Sequence, residues 1–177
     1  MTSKQQKPTH KQKIYDKETV LRTINDHIKQ SRDQTSDEFK SKYYQNFTAI
    51  DFIQSTDGLS VGQVEFDLKF PTYFRNGLYT THGGTLTTTL DYMTIEALYG
   101  LDQRDNNQLK LDIEFLTAVP LEKELKAVVT IRKATKNMAF LEGMIIDKRN
   151  GQQLICIKAS NIVEFIPNET QQERPKL

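Results

Sequence analysis

The sequence has only one cysteine, Cys156, and three histidines among its 177 residues. A single thiol excludes a framework of disulfides, and it leaves no cysteine pair for a zinc site. The scarcity of cysteine is also typical of a reducing, intracellular compartment. Because Cys156 lies between Ile155 and Ile157, we expect it to be a small core residue of a strand and not a nucleophile.

Long apolar runs, an excess of charge and some familiar motifs are missing as well. No stretch approaches the roughly 18 consecutive apolar residues of a membrane-spanning helix. A formal net charge of +1 argues against a nucleic-acid partner. The absence of a phosphate-binding glycine loop ending in Lys-Ser/Thr, and of a His-Glu-x-x-His pattern, argues against an NTPase and a zinc enzyme.

The residues that are present indicate one ordinary globular domain with polar ends. Hydrophobic residues make up 37% and charged residues 27% of a chain that is long enough to bury one core. Four lysines precede the first acidic residue, Asp16, and no apolar run follows them. This pattern predicts no secretory signal and weakly resembles an organelle-import segment, so the expected compartment is the mitochondrial matrix or else the cytoplasm.

Two helical segments are predicted near the start of the chain. Apolar residues between 16 and 29 recur at helical spacing, and Ser36-Asp37-Glu38 is typical of the start of a shorter helix that reaches about Tyr44. Together with the polar leader they form residues 1–45, a leader and helical extension. Since neither helix carries a motif, we expect this extension to pack against a core or a partner.

The following segments change to the two-residue period of strands. Residues 64–70 and 109–115 alternate apolar and polar side chains, as strands exposed on one face do. Asn150-Gly151 predicts a tight hairpin turn between the last two strands. Six strands are predicted in all, over residues 47–53, 64–70, 109–115, 125–132, 138–146 and 154–165.

One helix interrupts the strands between residues 81 and 100. Its threonines favour strand, but the helical period of its apolar residues outweighs them, and Gly100 is positioned to end it. Those apolar residues are Leu86, Leu90, Met93, Ala97 and Leu98. We therefore predict an α+β domain over residues 46–166, an antiparallel sheet of about six strands on one central helix, followed by a polar tail, 167–177.

His82-Gly83-Gly84 at the start of this helix is the first candidate site. Two glycines let a ligand approach the backbone closely, and their N–H groups have no partner within the helix. Such amides can stabilise the negative charge that develops on a carbonyl oxygen under attack. The alternative is a tight turn that needs small residues only for steric reasons.

Asp91, in the middle of the same helix, is the second candidate. A carboxylate among apolar residues is costly to bury unless it is solvated, paired or functional, and partial burial would raise its pKa and make it a general base or nucleophile. Gly83 lies eight residues away, which corresponds to about 12 Å along a helix. One carbonyl cannot touch both groups of the same chain, so a joint site predicts an antiparallel second copy, as in a two-fold dimer.

These residues resemble the hotdog-fold acyl-CoA thioesterases, particularly the branch that includes phenylacetate-pathway and mitochondrial enzymes. The resemblance is carried by Asn76, by His82-Gly83-Gly84 six positions later, and by Asp91 nine positions after the histidine. It continues through residues 111–120 and 136–140 and covers about residues 46 to 166. The fold it implies is the hotdog, in which a curved antiparallel sheet wraps one central helix.

The resemblance also implies roles for individual residues. The Gly83 N–H would polarise the thioester carbonyl, Asp91 of the opposite subunit would activate water or attack directly, and Asn76 would orient the water or substrate. His82 and Gly84 would line the site mainly through their backbone. Coenzyme A enters as part of the substrate, so neither a cofactor nor a metal is expected. Among the strand lysines, Lys110 and Lys136 are candidates for its phosphates, the alternative being exposed lysines that only confer solubility.

One departure from the family pattern leaves alternatives open. Where the family often has a Ser or Thr near the catalytic acid, alignment on Asp112 gives Lys110, which would lower the pKa of Asp91 if the two paired, or would point away if the register shifts by one. An inactive hotdog subunit, built into a larger assembly through residues 1–45, is therefore the second hypothesis beside a thioesterase that works as a dimer or dimer of dimers. A dehydratase or isomerase that uses His82 is the third.

Overall fold

The computed structural model describes residues 13–149 and 151–167. The leader up to residue 12, Asn150 of the predicted hairpin turn and the tail from residue 168 lie outside the described residues. Every predicted helix and strand is present, with ends that differ by a few residues. The elements are α1 (Lys17–Gln34), α2 (Glu38–Tyr44), β1 (Phe47–Gln54), β2 (Gly62–Lys69), a 3-10 turn (Thr72–Phe74), α3 (Gly83–Tyr99), β3 (Asn106–Phe115), β4 (Glu124–Ala134), β5 (Met138–Arg149) and β6 (Gln152–Phe165).

The six strands form one antiparallel sheet in the order β1-β2-β4-β5-β6-β3. Alternate residues of the inner strands are buried, for example Val64, Phe66 and Leu68 of β2, because one face of the sheet is covered. The third helix packs against β3, β4, β5 and β6 on this covered face. The predicted fold class, an antiparallel sheet on a central helix with a helical N-terminal extension, is confirmed.

The central helix crosses the sheet at its closest over β5. A Cβ atom added to Gly143 would lie 3.1 Å from Leu90 Cδ2 and 3.3 Å from Thr94 Cγ2, so a larger residue there would push the helix away. The threonines of α3 fit the helix because two of them bond back to its carbonyls. Thr87 Oγ1 donates to Gly83 O (3.1 Å), and Thr94 Oγ1 donates to Asp91 O (2.8 Å).

Gly100 follows the last residue of α3, as predicted, but for a different physical reason. Its φ of −59° is right-handed, so the left-handed conformation typical of a terminating glycine is not used. A Cβ atom on Gly100 would instead meet Ile24 at 2.6 Å and Val20 at 3.2 Å, both in α1. Glycine is needed here because the first and third helices come into close contact.

The two edge strands of the sheet differ in how far the rest of the chain covers them. Along β1, Asn25 of α1 accepts from the Ala49 N–H (3.0 Å) and donates to the Ala49 carbonyl (2.9 Å). Gln54 at the end of β1 makes a similar pair of bonds with the backbone of Lys13 and Tyr15. The N-terminal extension thus satisfies the edge of β1, whereas most residues along the opposite edge strand, β3, are exposed.

The structure shows the setting of one motif-like segment of the sequence. Residues 58–62 read Gly-Leu-Ser-Val-Gly, the pattern of a hydrolase nucleophile elbow, but they form the turn of the β1–β2 hairpin. Because such an elbow joins a strand to a helix, Ser60 is not in that setting.

Within residues 13–149 and 151–167, none of the helices combines the length and hydropathy of a membrane crossing.

Candidate active site

His82 caps the N-terminus of α3 with its side chain. Its Nδ1 atom accepts a hydrogen bond from the Gly84 N–H at 3.0 Å, which satisfies one of the amides that the helix leaves open. A Cβ atom on Gly84 would lie only 3.1 Å from the same Nδ1, so the cap favours a glycine. The Gly83 N–H has no acceptor among the described residues, and it is therefore available to a ligand.

Asn76 builds the loop that leads into this cap. Its Oδ1 atom accepts from the backbone N–H groups of Leu78 (2.8 Å) and Thr80 (3.1 Å), and its Nδ2 atom donates to Thr80 Oγ1 (2.8 Å). The backbone closes the same loop through Asn76 N–H to Thr80 O, and Tyr79 adopts a φ of +58° in it. Asparagine is therefore required by the turn itself, and its side chain is already engaged within this chain.

A second loop, residues 116–123, fixes the position of Thr81 just before the cap. The Thr81 N–H donates to Val119 O (3.0 Å), and its hydroxyl donates to Pro120 O (3.4 Å).

Buried Asp147 supports the same loop through ion pairs with Lys123, a residue of the loop, and with Arg149 of β5. Although burial alone would raise it, the hydrogen bonds and charges of these two cations hold the pKa of Asp147 below its ordinary value.

Asp91 lies half-buried on the flank of α3 that faces β3 and β6. Its Oδ1 atom accepts hydrogen bonds from Gln108 Nε2 of β3 and from Asn161 Nδ2 of β6 (3.4 Å). Oδ2 has no hydrogen-bond partner in the described part of the chain. Burial raises the pKa of Asp91 above its ordinary value of 3.8, and the bonds from the two amides limit the rise.

A bulge in β3 decides which residue faces Asp91. The register against β6 shifts between Gln108 and Lys110, so that Gln108 pairs with Val163 while Lys110 pairs with Ile162. Lys110 consequently points away from Asp91 and forms an ion pair with Asp112 at 2.6 Å. Of the two alternatives left open by the sequence, the shifted register is the one found, and it leaves Asp91 without a cationic neighbour.

Lys136, the other candidate for coenzyme A phosphates, lies at the opposite end of the helix from Gly83. It is exposed in the turn between β4 and β5, and its carbonyl accepts from Arg104, a residue that follows α3. Within one chain, no contact joins either Lys110 or Lys136 to the His82-Gly83-Gly84 turn. Their role in binding phosphates stays a prediction.

Sequence reasoning missed both amide partners of Asp91. Asn161 is fully buried, accepts from Gln108 Nε2 (3.3 Å) and donates to Thr94 Oγ1 (2.9 Å). The signal for it was present, since Asn161 is a polar residue in the inward-facing row of β6 between Ala159 and Val163. No such signal existed for Gln108, because only the bulge brings it to this position.

The edge strand β3 connects the two candidate groups along one flank. Gln108 at its beginning contacts Asp91, and the ring of Phe115 at its end would lie 3.5 Å from a Cβ atom on Gly83. Gly83 and Asp91 themselves are separated by two helical turns, so one chain does not bring them together. Among the described residues, no group of three or more His, Cys, Asp or Glu side chains could hold a metal ion.

Comparison with known proteins gives matches in structure alone. No family model and no curated protein matches the sequence. Thioesterase superfamily member 2 from zebrafish superimposes with a TM-score of 0.67 at 14% identity, over 82% of this chain and 97% of that one. The PaaI protein from the phenylacetic acid degradation operon of E. coli gives 0.65 at 15% identity, over 85% and 95%.

A third structure, a hypothetical thioesterase protein with coenzyme A from Streptococcus pneumoniae, has a TM-score of 0.57 at 19% identity, over 69% of this chain and 87% of that one. At such low identities these likenesses show the fold. The resemblance predicted from Asn76, His82-Gly83-Gly84 and Asp91 is confirmed at that level, and the chain has the hotdog fold of the thioesterase-superfamily structures.

Proposed function

We propose that this protein is an acyl-CoA thioesterase that hydrolyses its substrate at the interface of a homodimer. The observation that carries the proposal is the environment of Asp91. This carboxylate is half-buried, has a raised pKa, is held by neutral amides through one oxygen, and keeps the other oxygen free. A general base or nucleophile needs these properties, whereas a structural carboxylate has its oxygens paired.

The geometry of β3 supports a two-fold dimer. Gln108 beside Asp91 and Phe115 beside Gly83 lie near opposite ends of this edge strand. If β3 pairs antiparallel with the same strand of a second copy, Gln108 of one subunit lies near Phe115 of the other. The Gly83 amide then shares a pocket with the partner's Asp91, and two equivalent sites result. The opposite edge, β1, is already satisfied by Asn25 and Gln54.

In the proposed reaction the thioester carbonyl oxygen accepts a hydrogen bond from the Gly83 N–H, reinforced by the N-terminus of α3. Asp91 of the partner takes a proton from water as the water oxygen attacks the carbonyl carbon. The C–S bond then breaks, and the departing thiolate takes the proton from Asp91, which gives free coenzyme A and the carboxylic acid and restores the carboxylate. In direct attack, Asp91 would instead form a mixed anhydride that water hydrolyses.

The remaining site residues act by support. His82 fixes the first turn of α3 by capping Gly84, and Asn76 holds the loop before it, so both support the position of the Gly83 amide. Coenzyme A is part of the substrate, and neither a cofactor nor a metal takes part. Asn76 also stays a candidate for orienting water in the dimer, and Lys110 and Lys136 for binding phosphates.

Two observations count against an inactive subunit docked through residues 1–45. Most apolar side chains of α1 and α2, such as Ile24 and Tyr44, are buried in the domain's own core, although Phe39 of α2 remains exposed. In addition, Lys110 pairs with Asp112 and does not neutralise Asp91. The two features that motivated the second hypothesis, the N-terminal extension and Lys110, therefore give it little support.

Complementation between two inactive variants tests the shared site. Gly83→Pro removes only the critical N–H, because proline suits the first position of a helix and His82 already has the extended conformation that proline requires before it. Asp91→Asn removes the base. Each variant alone should be inactive, whereas an equal mixture that exchanges subunits should recover about a quarter of wild-type activity, because half of the dimers regain one intact site.

Gly83→Ala is the matched control, since it keeps the N–H and its added Cβ makes only ordinary contact with Phe115 at 3.5 Å. It should be far more active than Gly83→Pro. No activity toward any acyl-CoA, or a mixture as inactive as its components, would refute the proposal.

A further inference from the structure

An aromatic groove opens beside the cap of α3, and its residues take no part in the proposed hydrolysis step itself. Its volume is about 600 Å³. One wall is formed by Phe39 and Tyr43 of α2, the other by Tyr73 and Phe74 of the 3-10 turn. The floor consists of small residues of α3, namely Gly84, Thr85 and Thr88.

The walls expose more aromatic surface than the fold requires. Phe39 is 58% exposed and Tyr73 is 55% exposed, although each touches a buried neighbour, Tyr43 at 4.8 Å and Phe74 at 4.5 Å between ring centroids. Exposed apolar surface of this kind, rimmed by polar groups, is typical of a binding site. The exposed rings are therefore available to a ligand.

Charge and position indicate which ligand fits. The groove begins at His82 and Gly84, next to the amide that would hold the thioester carbonyl, and it runs away from it between the aromatic walls. Its lining among the described residues includes two cations, Arg75 and Lys42, of which Lys42 is ion-paired with Glu38 (2.7 Å), and no acidic residue. An apolar group attached to a polyanion, with the apolar part inside and the anion near these cations, matches this distribution.

We infer that the groove binds the acyl group of the substrate and that α2 thereby selects apolar acyl chains of medium length. This inference rests on the proposed thioesterase function. The walls are stable enough for such selection because Tyr43 and Tyr44 pack against Tyr92 of α3, with ring centroids 5.8 Å and 5.0 Å apart. Wild-type protein should prefer octanoyl-CoA over acetyl-CoA by roughly 30-fold in kcat/KM, since each added methylene removes apolar area from water.

Filling the groove tests this inference. Thr88→Phe should lower kcat/KM for octanoyl-CoA by at least about tenfold, through KM, and should change acetyl-CoA turnover less than about threefold. Phe39→Ala, at an exposed position that does not endanger folding, should lower octanoyl-CoA turnover by about fivefold with the same selectivity. Thr48→Phe on the exposed face of β1 is the matched control, and it should leave both substrates unchanged.

Calorimetric binding to the Asp91→Asn protein separates this inference from the proposed function. If octanoyl-CoA binds more tightly than free coenzyme A, and Thr88→Phe removes the difference, the groove holds the acyl chain even if no turnover is found. If the protein hydrolyses acyl-CoA but both groove variants affect octanoyl and acetyl substrates equally, the groove assignment is wrong and the thioesterase stands. The groove assignment would also be overturned if Thr88→Phe changed the oligomeric state while Phe39→Ala left the acyl preference unaltered. The groove would then be a contact surface for another protein chain.

Discussion

Two carboxylates on the central helix, five residues apart, have opposite surroundings. Glu96 is 0% exposed, and both of its oxygens are paired, with Tyr44 Oη donating to Oε1 (2.9 Å) and His27 Nδ1 lying 2.7 Å from Oε2. Asp91 is half-buried, and only neutral amides contact it, through one oxygen. Five residues correspond to about 140° around the axis, so the two side chains point to different sides of α3.

The difference separates a structural carboxylate from a reactive one. Both partners of Glu96 come from the N-terminal extension, and the His27 ring also stacks on Tyr99 at 3.9 Å, so this cluster ties α1 and α2 to the core. Burial, followed by the nearby charge of Glu96, raises the pKa of Tyr44 far above its ordinary value, so this hydroxyl remains a donor. Asp91 has no comparable partner, and its free oxygen can accept a proton from a substrate water.

The largest expected effect is on catalysis. Asp91→Asn should lower kcat by 10²- to 10⁴-fold, the usual contribution of a general base, while circular dichroism and the thermal unfolding midpoint show an intact fold. Glu96→Gln, measured on the folded fraction, should retain most of its kcat. Equal loss in both variants would remove the distinction between the two carboxylates.

The next largest effect is on stability. Glu96→Ala would leave the buried Tyr44 hydroxyl and the partly exposed His27 ring without their acceptor, and the free energy of unfolding in urea should fall by roughly 3–5 kcal/mol. Glu96→Gln keeps one acceptor and should lose less. If Asp91→Ala destabilised the protein as much as Glu96→Ala, Glu96 would not be the tie between extension and core.

The pH dependence of activity should follow Asp91. Because its pKa is raised and its ionised form is the base, kcat/KM should fall as the pH falls through a value above 3.8. Gln108→Leu removes a donor that lowers this pKa, so the acid limb should move upward by roughly one pH unit. Lys110→Met is the control, since Lys110 contacts Asp112 and not Asp91. A shift with Lys110→Met, and none with Gln108→Leu, would contradict the observed register.

The smallest effect is a gain in stability. A folded-state pKa above the unfolded one means that the native protein binds more protons between the two values, so ionised Asp91 lowers stability at pH 7. Asp91→Asn should therefore raise the free energy of unfolding slightly, by about 1 kcal/mol at most, and the gain should vanish below the unfolded pKa. Urea unfolding at neutral and acid pH measures it. A loss of stability at pH 7 would mean that Asp91 is a structural residue like Glu96.

Much of the fold was predictable because local sequence determines it. Alternating apolar residues together with turn signals predicted the six strands, and the period of Leu86, Leu90 and Met93 identified the central helix despite its threonines. The prediction that Gly100 ends this helix is confirmed, but its contact with Ile24 could not be predicted, because no local pattern indicates which helices touch. For the same reason the cluster of Glu96, Tyr44 and His27 could not be predicted from the sequence.

The sequence by itself determined the elements, their order and the pairing of a glycine-rich helix start with an acid two turns later. Only the tertiary structure decided the chemistry around that acid. A single bulged residue in β3 turns every following side chain to the other face, so Gln108 and not Lys110 meets Asp91, and Asn161 joins it from a distant strand. Register depends on packing across the whole sheet, and therefore no local sequence pattern could have predicted it.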